Sequence, residues 1–293
     1  MKTILIPVDF SEGSLHSCIY AMKLADNQKA TFHLFHIYND QVMVPDSGLP
    51  EAMDTGVFFN SDIVLALKEQ AERQLAELER QVKKLIKASG QDISVTSSLQ
   101  GGDPRWEITE ICKELEPDLV IMGTRGIGKK GFLEGSMAAK IMAKAPVPVL
   151  AIPENYSGFQ LRNMMFPTHF NKLDIYTLQQ LFKLLSHLNF KIHICHFHLE
   201  KKNQEARILM EELEKAFEKE KQDGKIRFTL VEATDKAEAL KTFAEDNKID
   251  LIAFLPEKDY LIKHLFSSHR LRKKDFFKLE LPMLAMHEWL FPR

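Results

Sequence analysis

Two stretches of this chain repeat in register, and that duplication restricts the fold more than any single motif does. Ile4-Leu5-Ile6-Pro7-Val8-Asp9-Phe10 lies without a gap over Met164-Met165-Phe166-Pro167-Thr168-His169-Phe170, an offset of 160 residues. At the same offset Lys23-Leu24 falls on Lys183-Leu184, and Phe32-His33-Leu34-Phe35-His36-Ile37 falls on Ile192-His193-Ile194-Cys195-His196-Phe197. Towards the end of each copy the offset shortens: Asp118-Leu119-Val120-Ile121 matches Asp250-Leu251-Ile252-Ala253, and Pro148-Val149-Leu150-Ala151 matches Pro282-Met283-Leu284-Ala285. A chain of 293 residues with this pattern reads as two copies of one domain, each near the common domain size of about 100–150 residues. The expected organisation is a first domain over 1–153, a linker over 154–160 and a second domain over 161–293.

Within each copy short apolar runs alternate with amphipathic stretches, the pattern of βαβ units around a mainly parallel sheet. The expected fold class is therefore α/β, with two doubly wound, five-stranded domains in tandem. Strands are expected near 2–8, 31–38, 92–98, 118–123 and 147–152, and helices near 13–27, 62–88, 104–115 and 135–144. The second copy repeats the order, with strands near 162–168, 190–198, 225–232, 250–255 and 282–287 and helices near 172–187, 202–222, 235–247 and 259–277. The helix over 62–88 is expected because Leu65, Leu67, Leu75, Leu78, Val82 and Leu85 recur at helical spacing among Glu, Arg and Lys. Residues 39–61 have no counterpart in the second copy and contain Pro45, Gly48, Pro50 and Gly56; they read as a long loop, either a lid or partner-binding segment or a plain surface excursion.

Composition narrows the function classes. Hydrophobic residues are 45% and charged residues 27% of the chain, a globular profile. No apolar run approaches the roughly 18 residues of a membrane span, and the opening MKTILIPVDF reaches Asp9 too early for a secretion signal. A cytoplasmic location follows as the expectation, and the widely spaced Cys18, Cys112 and Cys195 are expected to be reduced thiols. The formal charge of −2 argues against a dedicated nucleic-acid binder. It is shared unevenly: 16 Lys/Arg against 21 Asp/Glu over 1–155 gives −5, and 23 against 20 over 156–293 gives +3.

The sharpest local feature is Gly123-Thr124-Arg125-Gly126-Ile127-Gly128-Lys129-Lys130-Gly131-Phe132-Leu133-Glu134-Gly135-Ser136, directly after the apolar Leu119-Val120-Ile121-Met122. Glycines allow close backbone approach, and Ser136 is placed to cap the helix that follows, whose N-terminal amides and dipole suit a phosphate. On these residues alone a ligand loop and a merely glycine-rich turn both stay open. The segment is not a Walker A loop, because no Lys-Ser/Thr pair follows its final glycine, and it is not a dinucleotide fingerprint, which belongs after the first strand.

Taken together, Pro7-Val8-Asp9, His36-Ile37, Gly102-Asp103-Pro104, Met122-Gly123-Thr124-Arg125-Gly126, Gly135-Ser136 and Pro146-Val147-Pro148-Val149-Leu150 resemble the universal stress protein domain. The resemblance covers 1–153 and, more faintly, 161–288, so the chain resembles a tandem member of that family. It implies ATP or AMP, with or without Mg²⁺, held at the ends of the parallel strands. Asp9 would then meet the ribose or adenine, Val8 and Ile37 the base, Met122 and Gly123 the neighbouring backbone, and Gly126, Gly135 and Ser136 the phosphates. One departure bears on this: eight residues separate Gly126 from Gly135, one fewer than the nucleotide-binding branch of the family uses. In the second copy the corresponding loop holds no glycine and His169 stands where Asp9 does, so no nucleotide is expected there. Arg270, Arg272, Lys273 and Lys274 read as a solvated basic face.

The run His193-Ile194-Cys195-His196-Phe197-His198 offers three imidazoles and a thiol, but strand alternation sends His193 and Cys195 to one face and His196 and His198 to the other, which favours structural histidines over a metal site. None of Cys18, Cys112 and Cys195 lies in a recognisable nucleophile motif, and enzyme activity is expected to be at most a slow ATPase. Two readings follow. In the first, a stress-response protein binds an adenine nucleotide in its first domain and signals to a protein partner, the second domain acting as a structural mate. In the second, the shortened loop leaves a nucleotide-free interaction scaffold. Pairing of the two copies through Val147–Ile152 and Leu281–Met286 is expected on the family pattern, with further homo-oligomerisation open.

Overall fold

A computed structural model describes residues 2–40, 43–44, 58–59, 61–124, 137–154, 156, 158–159, 161–170, 172–198, 204–233, 235–256 and 279–287. The first copy runs β1 (Thr3–Pro7), α1 (Glu12–Leu24), β2 (Ala30–Tyr38), the short β3 (Met43–Val44) and β4 (Phe58–Phe59), α2 (Ser61–Ser89), β5 (Ile93–Gly101), α3 (Pro104–Leu115), β6 (Leu119–Gly123), α4 (Met137–Lys144) and β7 (Val149–Ile152). The second runs β8 (Asn163–Pro167), α5 (Asp174–Leu184), β9 (Lys191–His198), α6 (Gln204–Ala216), α7 (Glu218–Gln222), β10 (Ile226–Glu232), α8 (Lys236–Asp246), β11 (Leu251–Phe254) and β12 (Met283–Ala285). The helix expected over 259–277, most of the 39–61 loop, and Gly126, Gly135 and Ser136 lie outside the described residues.

The two copies join their five-stranded sheets into one ten-stranded sheet in the order β10-β9-β8-β11-β12-β7-β6-β1-β2-β5. Each half is parallel throughout. The halves meet through an antiparallel β7–β12 pair, with Leu150 opposite Leu284, Ala151 opposite Met283 and Val149 opposite Ala285. Antiparallel pairing of equivalent strands is what a local twofold axis produces, and it removes the exposed edge that each terminal strand would otherwise present. The apolar cores continue across this seam: Leu150 and Leu284 belong to one cluster, while Val149, Ala151, Met283 and Ala285 belong to the cluster on the opposite face.

The duplication extends to individual hydrogen bonds. Asp118 Oδ2 accepts the amides of Lys2 (2.6 Å) and Thr3 (2.9 Å), and Asp250 Oδ2 accepts those of Arg162 (2.8 Å) and Asn163 (2.9 Å). His36 Nδ1 donates to the Val8 carbonyl at 2.7 Å, and His196 Nδ1 to the Thr168 carbonyl at 2.9 Å. A carbonyl only accepts, so both imidazoles carry their proton on Nδ1. Phe10 and Phe170 take left-handed backbone angles, φ 63° and 60°. Their rings lie against those two histidines, with centroids 4.1 Å and 4.5 Å apart.

One expectation is corrected, and one is refined by the burial pattern. The helix foreseen over 202–222 is interrupted at Phe217, which has φ −128° and ψ 32° and separates α6 from α7. The Phe217 side chain is buried, with its ring 6.5 Å from that of Phe182, so core packing rather than a helix breaker in the sequence divides the element. In α2 the buried stripe is Ala71, Leu75, Leu78, Val82 and Ile86, while Leu65 and Leu85 are exposed and Leu67 is half-buried.

Candidate functional site

Each half of the sheet reverses its strand order between its first and fourth strands, and open α/β sheets form their ligand crevice beyond the carboxyl ends of the strands at such a switch. In the first half that point lies between β1 and β6, paired with Ile4 opposite Leu119 and Leu5 opposite Val120. Asp9 follows β1, and Gly123 ends β6 with Thr124 next to it.

Asp9 is fixed by its own turn. Its Oδ1 accepts from the Ser11 amide (3.1 Å), the Ser11 hydroxyl (2.6 Å) and the Ser14 hydroxyl (2.8 Å). Ser14 Oγ in turn accepts the Asp9 amide at 2.9 Å. The carboxylate is thereby held at the mouth of the switch by the first turn of α1, where the helix dipole also favours negative charge. Val8 has its carbonyl bonded to His36 and its side chain in the core on the α1 side; Ile37 and Met122 share the opposite cluster. The structure thus brings Ile37 and Met122 together on one face and places Val8 on the other. Burial lowers the pKa of His36, offset in part by its bond to the Val8 carbonyl and by Asp9, so the ring is neutral at physiological pH.

Thr124 was not singled out by the sequence beyond its place in the glycine segment. Its side chain is buried, its amide donates to the Ile152 carbonyl at 3.0 Å, and its hydroxyl has no hydrogen-bond partner among the described residues. A buried hydroxyl left without a partner costs about 1–3 kcal/mol, and only spatial structure reveals such an orphan.

The equivalent crevice of the second half has changed chemistry. The carboxylate has moved from the position of Asp9 to that of Ser14: Asp174 is buried and accepts the Thr168 hydroxyl, which itself accepts the Phe170 amide at 2.8 Å. His169 occupies the vacated place, with its ring edge-on to His196 at 5.9 Å. His193 and Cys195 are buried on one face of β9, while His196 and His198 are half-buried with rings stacked at 6.3 Å. Among the described residues no group of three or more His, Cys, Asp or Glu side chains is placed to hold a metal ion.

The universal stress protein family model matches residues 1–153, just over half of the chain. The chain belongs to that family. A universal stress protein of Methanocaldococcus jannaschii is 29% identical over 152 residues, covering 52% of this chain and 81% of that protein. A universal stress protein of Thermus aquaticus is 31% identical over 153 residues, covering 52% of this chain and 98% of that protein. Among solved structures, a universal stress protein from Archaeoglobus fulgidus aligns with 97% of this chain and 96% of its own at TM-score 0.63 and 16% identity, a likeness of fold across both halves. Among the described residues no helix is long and apolar enough to cross a membrane.

Proposed function

We propose that residues 1–153 bind an adenine nucleotide, ATP or AMP, in the crevice between β1 and β6, and that the bound state is read by a protein partner. The observation that carries this reading is the pair of groups at the switch point: a carboxylate oriented by Ser11 and Ser14, and the buried Thr124 hydroxyl, which has no hydrogen-bond partner among the described residues. A carboxylate accepts from ribose hydroxyls, and a polar ligand group would relieve the cost of the orphaned hydroxyl. Any Mg²⁺ would arrive with the nucleotide's phosphates and be held largely by them, as this ion commonly is.

Residues 161–293 then serve as a structural mate. With His169 in place of Asp9, and Asp174 buried against Thr168, the described residues of that crevice present no carboxylate at the position of Asp9 to accept from ribose hydroxyls. The test is to denature the purified protein, analyse the released small molecules by mass spectrometry, and titrate the refolded or ligand-free protein with ATP, with and without Mg²⁺. One nucleotide per chain, lost in Asp9→Ala, is expected. Two per chain would overturn the assignment of the second half. None, with a flat titration, would turn the reading to a nucleotide-free interaction scaffold.

A further inference from the structure

A row of hydroxyls along β5 ends in a serine bonded to an imidazole, on an open face of the sheet. α2 packs on the other face of β2 and β5, where Glu79 accepts the Ser97 hydroxyl. On the face away from α2, Thr31, His33 and Phe35 of β2 stand opposite Ser94, Thr96 and Ser98 of β5. Ser94 and Thr96 are exposed there, and His33 and Ser98 are half-buried. The cluster lies in mid-sheet, with His33 opposite Leu5 of β1, and is separate from the crevice beyond the strand ends.

The hydrogen bonds fix which atom carries each proton. A carbonyl only accepts, so Ser94 Oγ donates to the Ala30 carbonyl at 3.4 Å and Thr96 Oγ1 to the Phe32 carbonyl at 3.5 Å. With its own proton so committed, Thr96 Oγ1 accepts from His33 Nδ1–H at 2.9 Å. That tautomer leaves a lone pair on Nε2, which accepts the Ser98 hydroxyl at 2.7 Å. Burial lowers the pKa of His33, so the ring is neutral at physiological pH and able to take a proton. Nucleophile, base and a group that orients the base are thus in hydrogen-bond reach of one another, the arrangement that activates a hydroxyl. A donor for developing negative charge lies alongside. The Ala30 amide donates to the Asp92 carbonyl, so strand alternation turns the backbone groups of Ser94, Thr96 and Ser98 towards β2. Leu99, next to Ser98, then turns its N–H to the sheet edge, where β5 is the outermost strand.

The second copy keeps the histidine and changes its surroundings. His193 takes the place of His33, but Arg227 stands opposite it where β5 has Thr96, and Thr229 stands where β5 has Ser98. The His193 ring is buried, edge-on to Phe243 of α8 at 6.2 Å. The imidazole belongs to the repeat, whereas the serine–threonine pair and the open face are particular to the first copy.

We propose that Ser98 is a nucleophile towards small activated carboxylic esters, with His33 as its general base and Thr96 as the residue that positions the imidazole. Ser98 Oγ attacks the ester carbonyl carbon as its proton passes to His33 Nε2, with the Leu99 N–H as donor to the developing oxyanion. The bond to the leaving alcohol breaks as the imidazolium returns that proton to it, which leaves an acyl-serine. Water then attacks the acyl carbon and gives a proton to Nε2, and the carboxylic acid departs as the imidazolium reprotonates Ser98 Oγ. Ester and water are consumed, acid and alcohol are formed, and the protein is returned unchanged.

The test treats the full-length protein with a fluorophosphonate probe, which labels activated serines, and maps the adduct by peptide mass spectrometry; p-nitrophenyl acetate turnover is followed in parallel. One adduct per chain, on Ser98, is expected, and Ser98→Ala should remove both the adduct and the turnover. His33→Gln keeps a hydrogen-bonding side chain but no base, and should slow labelling by about 100-fold. Thr96→Val should slow it several-fold and Thr96→Ser restore it, with circular dichroism showing that each variant is folded. If His33→Gln does not fold, the two variants at the exposed Thr96 test the orientation of the base in its place. A folded wild-type protein that leaves Ser98 unlabelled would overturn the proposal. So would labelling that proceeds at full rate in folded His33→Gln or in Thr96→Val, or turnover that persists in Ser98→Ala.

Discussion

A phenylalanine held near φ +60° is an unfavourable backbone state for a residue of that size, yet this protein uses one at the same point of both copies. What offsets the strain is visible in each: the histidine that follows from the next strand donates to the carbonyl two residues before the phenylalanine and covers its ring. The device survives in the second half although the Asp9 position has become His169, which makes it a feature of the fold rather than of ligand binding. His36→Ala should therefore destabilise the protein by about 1–3 kcal/mol, and His196→Ala by a similar amount, as read from urea midpoints; an unchanged midpoint in either would refute the bracket. Two other histidines add the most strongly shifted imidazoles among the described residues to the pH response. Burial pushes His193 and His287 from the ordinary 6.5 down to about 4, with Lys191 and Arg227 adding to the effect at His193. Between these values the unfolded chain binds protons that the folded chain does not, so stability is full above about pH 6.5, falls as pH drops towards 4, and loses nothing more to these groups below that. Urea midpoints across pH 4–7 should show the fall, and His193→Gln should flatten its share of the slope.

At the scale of elements, α2 shows both what periodicity reveals and where it stops. Its existence and limits are legible because apolar residues recur among Glu, Lys and Arg over the whole of Ser61–Ser89. Which leucines face the core is not, because four-residue and three-residue steps compete and only the sheet beneath decides between them. Leu85 and Ile86 are neighbours, but Ile86 is 5% exposed and Leu85 37%. Ile86→Ala should cost about 2–5 kcal/mol and Leu85→Ala at most about 1 kcal/mol, a contrast that chemical denaturation of the two variants would measure. The break at Phe217 was hidden for the same reason: the sequence around it contains no proline or glycine, and the helix ends because an aromatic ring is needed in the core. The parallel βαβ architecture, the pairing of the two copies through their last strands and the placement of Asp9 and Gly123 at the carboxyl ends of the strands could be read from the alternation, the repeat and the family resemblance. The anchoring of Asp9 by two serines, the transfer of the carboxylate to Asp174, and the orphaned Thr124 hydroxyl could not, since each depends on side-chain direction in space.

For the molecule as a whole, the consequence of duplication lies at β7 and β12. Val149, Leu150, Ala151 and Ile152 are buried because β12 and the cores on both faces cover them. Remove the second half and β7 becomes an edge strand, apolar on both faces, with a row of unpaired amides and carbonyls. The partner that fits this edge is already defined by the seam: β12 is the repeat equivalent of β7 and pairs with it antiparallel, so a second β7 could occupy the same place across a true twofold. A fragment of residues 1–153 should therefore be dimeric in analytical ultracentrifugation, with the full-length chain lacking any association through this strand. Leu150→Asp in the fragment places a carboxylate at the centre of the pairing, opposite its own copy, and should shift the fragment to monomer or abolish its folding. A fragment that stays monomeric and folded with Leu150 intact would mean that β7 is covered some other way, and that the two halves are held together by their helices and cores more than by the strand pair.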